Sequence, residues 1–160
     1  MNAKVREWEV RLGASQVVHY AAAERYLRLN AVLGMPMVIL SSFVSALLFF
    51  DQAHSTVDVF LKAGGILVAV LASIQAFVRP AEKAELHRIK ATKYGGLKRK
   101  TEIYLCQEPS PERFQIFSKE LMTEWDAIAE DSPTTPDKMR KRIKEILDEN
   151  KQLKRERVTA

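Results

Sequence analysis

Few residues of this chain have the types and spacing of a catalytic or metal-binding site. The histidines His19, His54 and His87 are far apart in the sequence, and no HExxH or CxxC motif is present. Cys106 is the single cysteine, so it has no second thiol for a disulfide or a metal site. We therefore predict a protein that is not an enzyme, with no catalytic residue, no metal and no cofactor.

Three polar side chains in otherwise apolar segments are candidates for lining a water path. Ser41 and Ser45 lie in one uncharged run, and Gln75 lies in another. A buried amide in a membrane usually needs a partner or water. We name these three as candidate pore-lining residues, against the alternative that serine and small residues more often pack membrane helices than line channels.

Two apolar segments must position these side chains. Residues 31–50 are twenty consecutive residues without a formal charge, which span roughly the 30 Å hydrocarbon core of a bilayer. A second uncharged run, 63–78, reaches the same length when the four residues before it are included. We predict a two-helix transmembrane hairpin over 31–78, with spans at 31–50 and 59–78.

The alternative to a membrane hairpin is a pair of buried helices in a soluble bundle, which the weakly negative mean hydropathy of −0.17 favours slightly. A soluble helix of this length normally carries a polar stripe, whereas the only polar side chains in 31–50 are three serines. A cleaved secretory signal is disfavoured because thirty mostly polar residues precede the first run. We therefore expect the hairpin to remain in the mature protein.

Charged residues predict the orientation of the hairpin. The first thirty residues carry five basic and three acidic side chains, and residues 79–100 carry eight and two, whereas the loop has two aspartates and one lysine. By the positive-inside rule, both termini face the cytoplasm. The net charge of +5 therefore indicates topology and attraction to anionic lipid. No aromatic-rich platform or zinc spacing accompanies the basic run, so no nucleic acid is expected as a partner.

The whole chain outside its linkers predicts helices, and hence an all-α membrane protein with long helical cytoplasmic extensions. Residues 1–30 form a cytoplasmic N-terminal helical segment that precedes the hairpin. Residues 79–130 form a cytoplasmic helical region after it. The polar, proline-containing stretch that begins at Asp131 predicts that 131–160 are a linker and a charged C-terminal helix.

Glycines and prolines predict where these helices begin, bend and break. Gly13 predicts an interruption of the N-terminal helix, and Pro36 predicts a kink in the first span. Pro80 and Pro111 are typical of the first turn of a helix, the second preceded by a serine cap and followed by a helix to about residue 129. The pair Gly95-Gly96 predicts a weak point in the helix that starts at Pro80.

Small residues recur along one face of the second span. They are spaced four, three and four apart, which leaves a nearly smooth surface that another helix can approach closely. The stripe could serve packing within the hairpin or contact between subunits. These candidate helix-packing residues are Gly65, Ala69, Ala72 and Ala76.

The C-terminal helix fits a heptad repeat for about two and a half repeats, including an asparagine of the kind that sets register in parallel dimers. The alternatives are a coiled coil between subunits and a charged helix laid against the rest of the cytoplasmic domain. The candidate oligomerisation residues are Met139, Ile146 and Leu153 at d positions and Ile143 and Asn150 at a positions.

The arrangement from His19 to Ile128 resembles the SLATT family, the two-helix membrane effectors associated with SMODS nucleotidyltransferases and SLOG sensors. The resemblance rests on the approach helix HYAAAERY from His19 to Tyr26, the span residues ILSS from Ile39 to Ser42, a short outer loop, and the basic helix HRIKATKYGGLKR from His87 to Arg99. It implies a bacterial anti-phage effector that forms a membrane pore when a nucleotide second messenger or a partner sensor signals infection, and that ends in cell death or growth arrest.

From the residues alone, two functions stay open. A single hairpin is too narrow to enclose a water path, so a pore requires a homo-oligomer; the family resemblance implies that its membrane is the bacterial inner membrane. The alternative is a membrane-anchored adaptor whose cytoplasmic helices bind a sensor or effector partner.

Overall fold

The structure is a computed structural model that describes residues 1–49, 55–108 and 110–133, together with Lys141, Lys144, Glu145 and Asp148. These residues are almost entirely helical and include no strand, which confirms the predicted all-α class. The described helices are α1 (Asn2–Phe49), α2 (Ser55–Val78), α3 (Pro80–Leu105) and α4 (Pro111–Glu130).

The predicted break at Gly13 is wrong, because α1 is one helix of 48 residues. Leu12 and Ala14 on either side are fully or almost fully buried. The side chain of Lys98 packs 3.5 Å from the place where a Gly13 Cβ would lie. Burial on both sides of the glycine therefore outweighs the roughly 1 kcal/mol helix penalty of glycine relative to alanine. Pro36 also lies inside α1, which is helical on both sides of it.

The chain divides into two compact units, and neither coincides with the segment boundaries expected from the sequence. Unit 1 combines Met1–Ala23 with Glu85–Ala160, and unit 2 is Glu24–Ala84. The sequence placed the corresponding boundaries at residues 31 and 78, where the uncharged runs begin and end.

Unit 1 is built around a hydrophobic core to which α1, α3 and α4 each contribute one face. Within each helix the contributing residues recur at spacings of three, four or seven, as expected for amphipathic helices. Aromatic rings stack in this unit, with Trp8 against Phe114 at 6.0 Å and Tyr104 against Phe117 at 4.3 Å between ring centroids. The core residues are Val5, Trp8 and Leu12 from α1, Tyr94, Leu97 and Tyr104 from α3, and Leu121 and Ile128 from α4.

Prolines begin α3 and α4 at the predicted positions. Pro111 occupies the first turn of α4, although the Ser110 side chain makes no capping hydrogen bond. Before Pro80, Arg79 has a φ of 48°, in the left-handed region that is costly for a residue with a Cβ. The Arg79 N–H donates to the Gln75 carbonyl at 3.0 Å, and the Lys83 N–H donates to the Arg79 carbonyl at 3.1 Å. The backbone at this junction is therefore hydrogen-bonded on both sides of a strained residue.

Candidate functional site in the apolar helices

Unit 2 carries a large exposed apolar surface on α2 and on the C-terminal half of α1. The most apolar 18-residue window of each helix contains no buried residue, so these windows do not form the core of a soluble bundle within the chain. By length and composition both helices can cross a membrane. Large apolar side chains more than half exposed on this surface are Leu27, Val32, Met35, Val38, Ile39, Phe43, Leu48, Val59, Phe60, Ile66 and Phe77.

Within unit 2, α1 and α2 approach each other at glycines. A Cβ built on Gly64 would lie only 2.9 Å from Cγ2 of Val44, so α1 fills the space beside this glycine. A Cβ on Gly34 would lie 3.7 Å from the Gln75 amide nitrogen. The half-buried residues of α2 repeat at spacings of three and four, namely Val57, Leu61, Gly64, Val68, Leu71, Gln75 and Val78.

A hydrogen bond between two amides joins α1 and α2 inside the apolar region. Gln75 Nε2 donates to Asn30 Oδ1 at 3.0 Å. The Gln75 Oε1 atom is buried and has no hydrogen-bond partner among the described residues. An amide pair of this kind contributes on average about 0.6 kcal/mol between membrane helices. Gln75 therefore has a packing role in the single chain.

The three candidate pore-lining residues do not form one site in the single chain. Ser41 is half-buried and donates its hydroxyl to the Val38 carbonyl at 3.0 Å, a local helix bond. Ser45 is exposed, whereas Gln75 is in the α1–α2 contact. That these three residues line a common water path stays a prediction, and it applies to an oligomer and not to the single chain.

The small-residue stripe of α2 lies beside the α1–α2 contact and is exposed. Each stripe residue directly follows a half-buried residue of α2, so it is turned by about 100° from the contact. A Cβ on Gly65 would meet no atom within 4 Å. The contact that α2 makes with α1 therefore uses the positions adjacent to Gly65, Ala69, Ala72 and Ala76, and leaves the stripe open to lipid or to a second subunit.

The candidate oligomerisation residues Met139, Ile143, Ile146, Asn150 and Leu153 lie outside the described residues.

Sequence reasoning missed a polar cluster inside unit 1. His19 and His87 are both buried, at 5% and 2% exposure, and their Nδ1 atoms are 3.0 Å apart, so one neutral ring donates to the other. Tyr94 stacks against His19 at 5.4 Å between centroids. Both histidines fall on the buried, three-and-four spaced faces of α1 and α3, and this was the available signal.

Burial, together with repulsion from a protonated His87 and from Lys90, lowers the pKa of His19 from 6.5 to about 4. Burial also lowers the pKa of His87. Lys90 is itself buried, and its ammonium donates to the Ile128 carbonyl at 3.4 Å and lies 3.7 Å from the Asp131 carboxylate. The cluster therefore holds two neutral imidazoles beside a cation that contacts the C-terminal end of α4.

In chemical terms, the described arrangement supports helix association. Among the residues that the structure describes, no group of three His, Cys, Asp or Glu side chains is placed to hold a metal ion. Cys106 is exposed at the end of α3. The candidate functional surface is therefore the exposed apolar surface of unit 2, which includes the small-residue stripe of α2.

Comparison with known proteins gives no match. No family model matches the sequence, and neither a curated protein nor a solved structure resembles the chain significantly.

Proposed function

We propose that this chain is a bacterial membrane effector that assembles into a gated, oligomeric pore in the inner membrane. The observation that carries the proposal is the exposed apolar surface of unit 2, which a monomer in water would leave uncovered. Monomeric soluble proteins rarely expose contiguous apolar patches of more than a few hundred Å². Lipid covers most of this surface in the proposed state, and α1 and α2 form a transmembrane hairpin.

The charges that flank the helices set the orientation in this proposal. Basic residues dominate before the first span and after the second, so both termini lie in the cytoplasm and the 51–62 loop lies outside. Unit 1 has a buried core of its own, and the proposal places this folded module in the cytoplasm. Its proposed role is to receive the signal that opens the pore.

The small-residue stripe supports the oligomer. A single pair of helices encloses no water path, so conduction requires several subunits. The stripe is exposed and is free of the α1–α2 contact, which makes it the surface where a neighbouring subunit's helix approaches most closely. Polar residues such as Ser41, Ser45 and Gln75 would face the path in that assembly.

The defence context is the part of the proposal that the SLATT resemblance supports. It implies activation by a sensor protein or by a partner that makes a nucleotide second messenger, followed by abortive infection. This chain supplies the membrane-disrupting step.

We predict that assembly fails when the stripe is filled. Ala69→Leu or Ala72→Leu adds three heavy atoms where helices approach, at an overpacking cost of about 1 to 3 kcal/mol per contact. Chemical crosslinking of membranes should show fewer oligomers for both variants. The matched control is Ala63→Leu, the same change at an exposed position on another face of α2. Equal crosslinking ladders in all four proteins would refute the stripe as the subunit contact.

The pore itself is tested by ion leakage from liposomes and by membrane potential in bacteria that carry the chain with its neighbouring genes. Depolarisation should precede growth arrest and should be lost in Ala69→Leu but kept in Ala63→Leu.

The second candidate, a membrane-anchored adaptor, is favoured by the separate core of unit 1. If triggered cells lose viability while their membrane potential stays intact, the pore hypothesis fails and the adaptor hypothesis takes its place.

A further inference from the structure

A strained junction joins α2 to α3 inside unit 2. Arg79 is the residue between the two helices, and its φ of 48° lies in the left-handed region. That conformation is costly for a residue with a Cβ, and a residue before a proline is favoured in extended conformations instead. Arg79 therefore holds strain that the backbone would release if the junction were free to change.

One face of α1 contacts the chain on both sides of this junction. On the α2 side, Gln75 Nε2 donates to Asn30 Oδ1 at 3.0 Å. On the α3 side, the Lys83 ammonium lies 5.9 Å from the centroid of the Tyr26 ring, a cation–π contact. Tyr26 and Asn30 are four residues apart and so lie on the same face of α1. These two contacts hold α2 and α3 in their present directions.

Both contacts are weak, and the amide contact is incomplete. The Gln75 Oε1 atom is buried and has no hydrogen-bond partner among the described residues, which is a cost that contact with water would remove. Amide bonds between membrane helices and exposed cation–π contacts each contribute little. The two contacts are therefore opposed by the strain at Arg79 and by the unsatisfied oxygen of Gln75.

We propose that the Asn30–Gln75 hydrogen bond is the latch that holds the pore closed, and that opening breaks it. When Arg79 relaxes, α2 and α3 change direction relative to each other, so α1 can no longer contact both. The amides of Asn30 and Gln75 then turn towards the water path. This inference rests on the proposed function, because a latch requires a pore, and it adds the residues that regulate that pore.

The α3 helix provides a route for the signal. It begins at Pro80 in unit 2 and continues without interruption into unit 1. A change in unit 1 can therefore reach Lys83 through a single helix. A partner that binds unit 1 more tightly when the latch is broken would shift the equilibrium towards the open pore.

Crosslinking tests the latch contact in the full-length protein, in liposomes of uncharged lipid. Asn30→Cys with Gln75→Cys, in a Cys106→Ser background, is treated with a short bifunctional thiosulfonate. The matched control pairs Asn30→Cys with Ser73→Cys, because Ser73 is exposed and two residues before Gln75, on another face of α2. Crosslinks within one chain should be several-fold more abundant in the first pair. Equal yields in the two pairs would overturn the proposal.

Ion leakage from the same liposomes tests the role of the latch. One amide bond between membrane helices corresponds on average to about threefold in an equilibrium, and several subunits add their effects. Asn30→Ala should therefore leak about tenfold faster than the parent protein. Ser73→Ala, which removes a hydroxyl that bonds only within its own helix, should match the parent. Crosslinking residues 30 and 75 should block the leak, and reduction should restore it.

The outcomes separate the latch from the pore. Leakage that ignores the crosslink and Asn30→Ala would refute the latch and leave the pore standing. No leakage from any variant, while the crosslink still forms within the chain, would refute the pore and the latch with it.

The strain at Arg79 provides a second readout. Glycine adopts a φ of 48° without strain, so adding Arg79→Gly to Asn30→Ala should slow the leak again, whereas adding Arg79→Lys, which keeps the strain, should not. Chemical crosslinking between subunits, at equal yield in these proteins, shows that they insert and assemble. Equal leakage from the two double variants at equal assembly would overturn the proposal, because the strain would then have no part in opening.

Discussion

His19 and His87 show how residues 68 positions apart become a single polar contact. In the sequence they are isolated histidines with no motif. Only the packing of α1 on α3 in unit 1 brings their Nδ1 atoms together, so their pairing could not be predicted from spacing. The Asn30–Gln75 bond is a similar case, since the sequence indicated that Gln75 needs a partner but not which residue supplies it.

We predict that unit 1 loses stability in mild acid. His19 has a pKa of about 4 when folded against 6.5 when exposed, so the unfolded chain binds its proton first as the pH falls. The stabilisation is fully present above pH 6.5 and declines as the pH falls towards 4. Urea unfolding followed by tryptophan fluorescence between pH 7.5 and 4 would measure it.

The control for the acid effect is His19→Gln, which removes the titrating ring while keeping a polar side chain. Its unfolding free energy should be lower at neutral pH and should fall less between pH 6.5 and 4. An identical pH dependence in the two proteins would contradict the assignment to His19.

At the scale of helices, the sequence predicted the starts of α3 and α4 because proline acts locally. The sequence also predicted the two apolar segments, since a run of about twenty uncharged residues is typical of a helix that can cross a membrane. It failed at Gly13, where the environment outweighs propensity: packing on Lys98 and burial of the neighbouring residues keep α1 intact. Local signals predict a helix boundary only where no tertiary contact competes with them.

We predict that the two adjacent glycines of α3 respond differently to alanine. Gly96 has no atom within 4 Å of a Cβ, so Gly96→Ala should stabilise unit 1 by about 1 kcal/mol. A Cβ on Gly95 would lie 2.6 Å from the Gln16 amide nitrogen, so Gly95→Ala should gain less because Gln16 must move. Chemical denaturation compares the two. Adding Gln16→Ala to Gly95→Ala should restore the gain, and equal effects of the two single variants would contradict the close contact.

On the scale of the whole molecule, hydrophobic periodicity and helix-start signals predicted the all-α class, but the division into two units depends on three-dimensional contacts. Residues 1–23 belong with 85–160 although some sixty residues separate them in sequence. Long-range pairing of this kind leaves no local signal. The expected boundaries therefore followed charge, whereas the observed units follow packing.

We predict that residues 51–62 lie outside the inner membrane and that both termini lie in the cytoplasm. Ser55→Cys in a Cys106→Ser background should react with an impermeant maleimide on cells whose outer membrane is permeabilised. The native Cys106 should react only after the inner membrane is opened. The reverse pattern of labelling would contradict the positive-inside orientation.

The left-handed backbone of Arg79 has an energetic consequence for the choice of residue there. Glycine would adopt a φ of 48° without strain, whereas arginine costs about 1 to 2 kcal/mol. In the proposed placement, Arg79 lies where a span meets an anionic surface, and a basic residue near that surface gains about 1 kcal/mol. The cost of the backbone strain and the electrostatic gain are nearly equal. The charge of the membrane lipids therefore decides whether arginine or glycine is the more stabilising residue at this position.

Arg79→Gly should therefore stabilise the chain by up to about 1 kcal/mol in uncharged detergent. It should lose that advantage in vesicles with anionic lipid, whereas Arg79→Lys, which keeps both charge and strain, should match the parent protein in both. The strained backbone at Arg79 would then make the stability of this junction depend on the charge of the membrane surface.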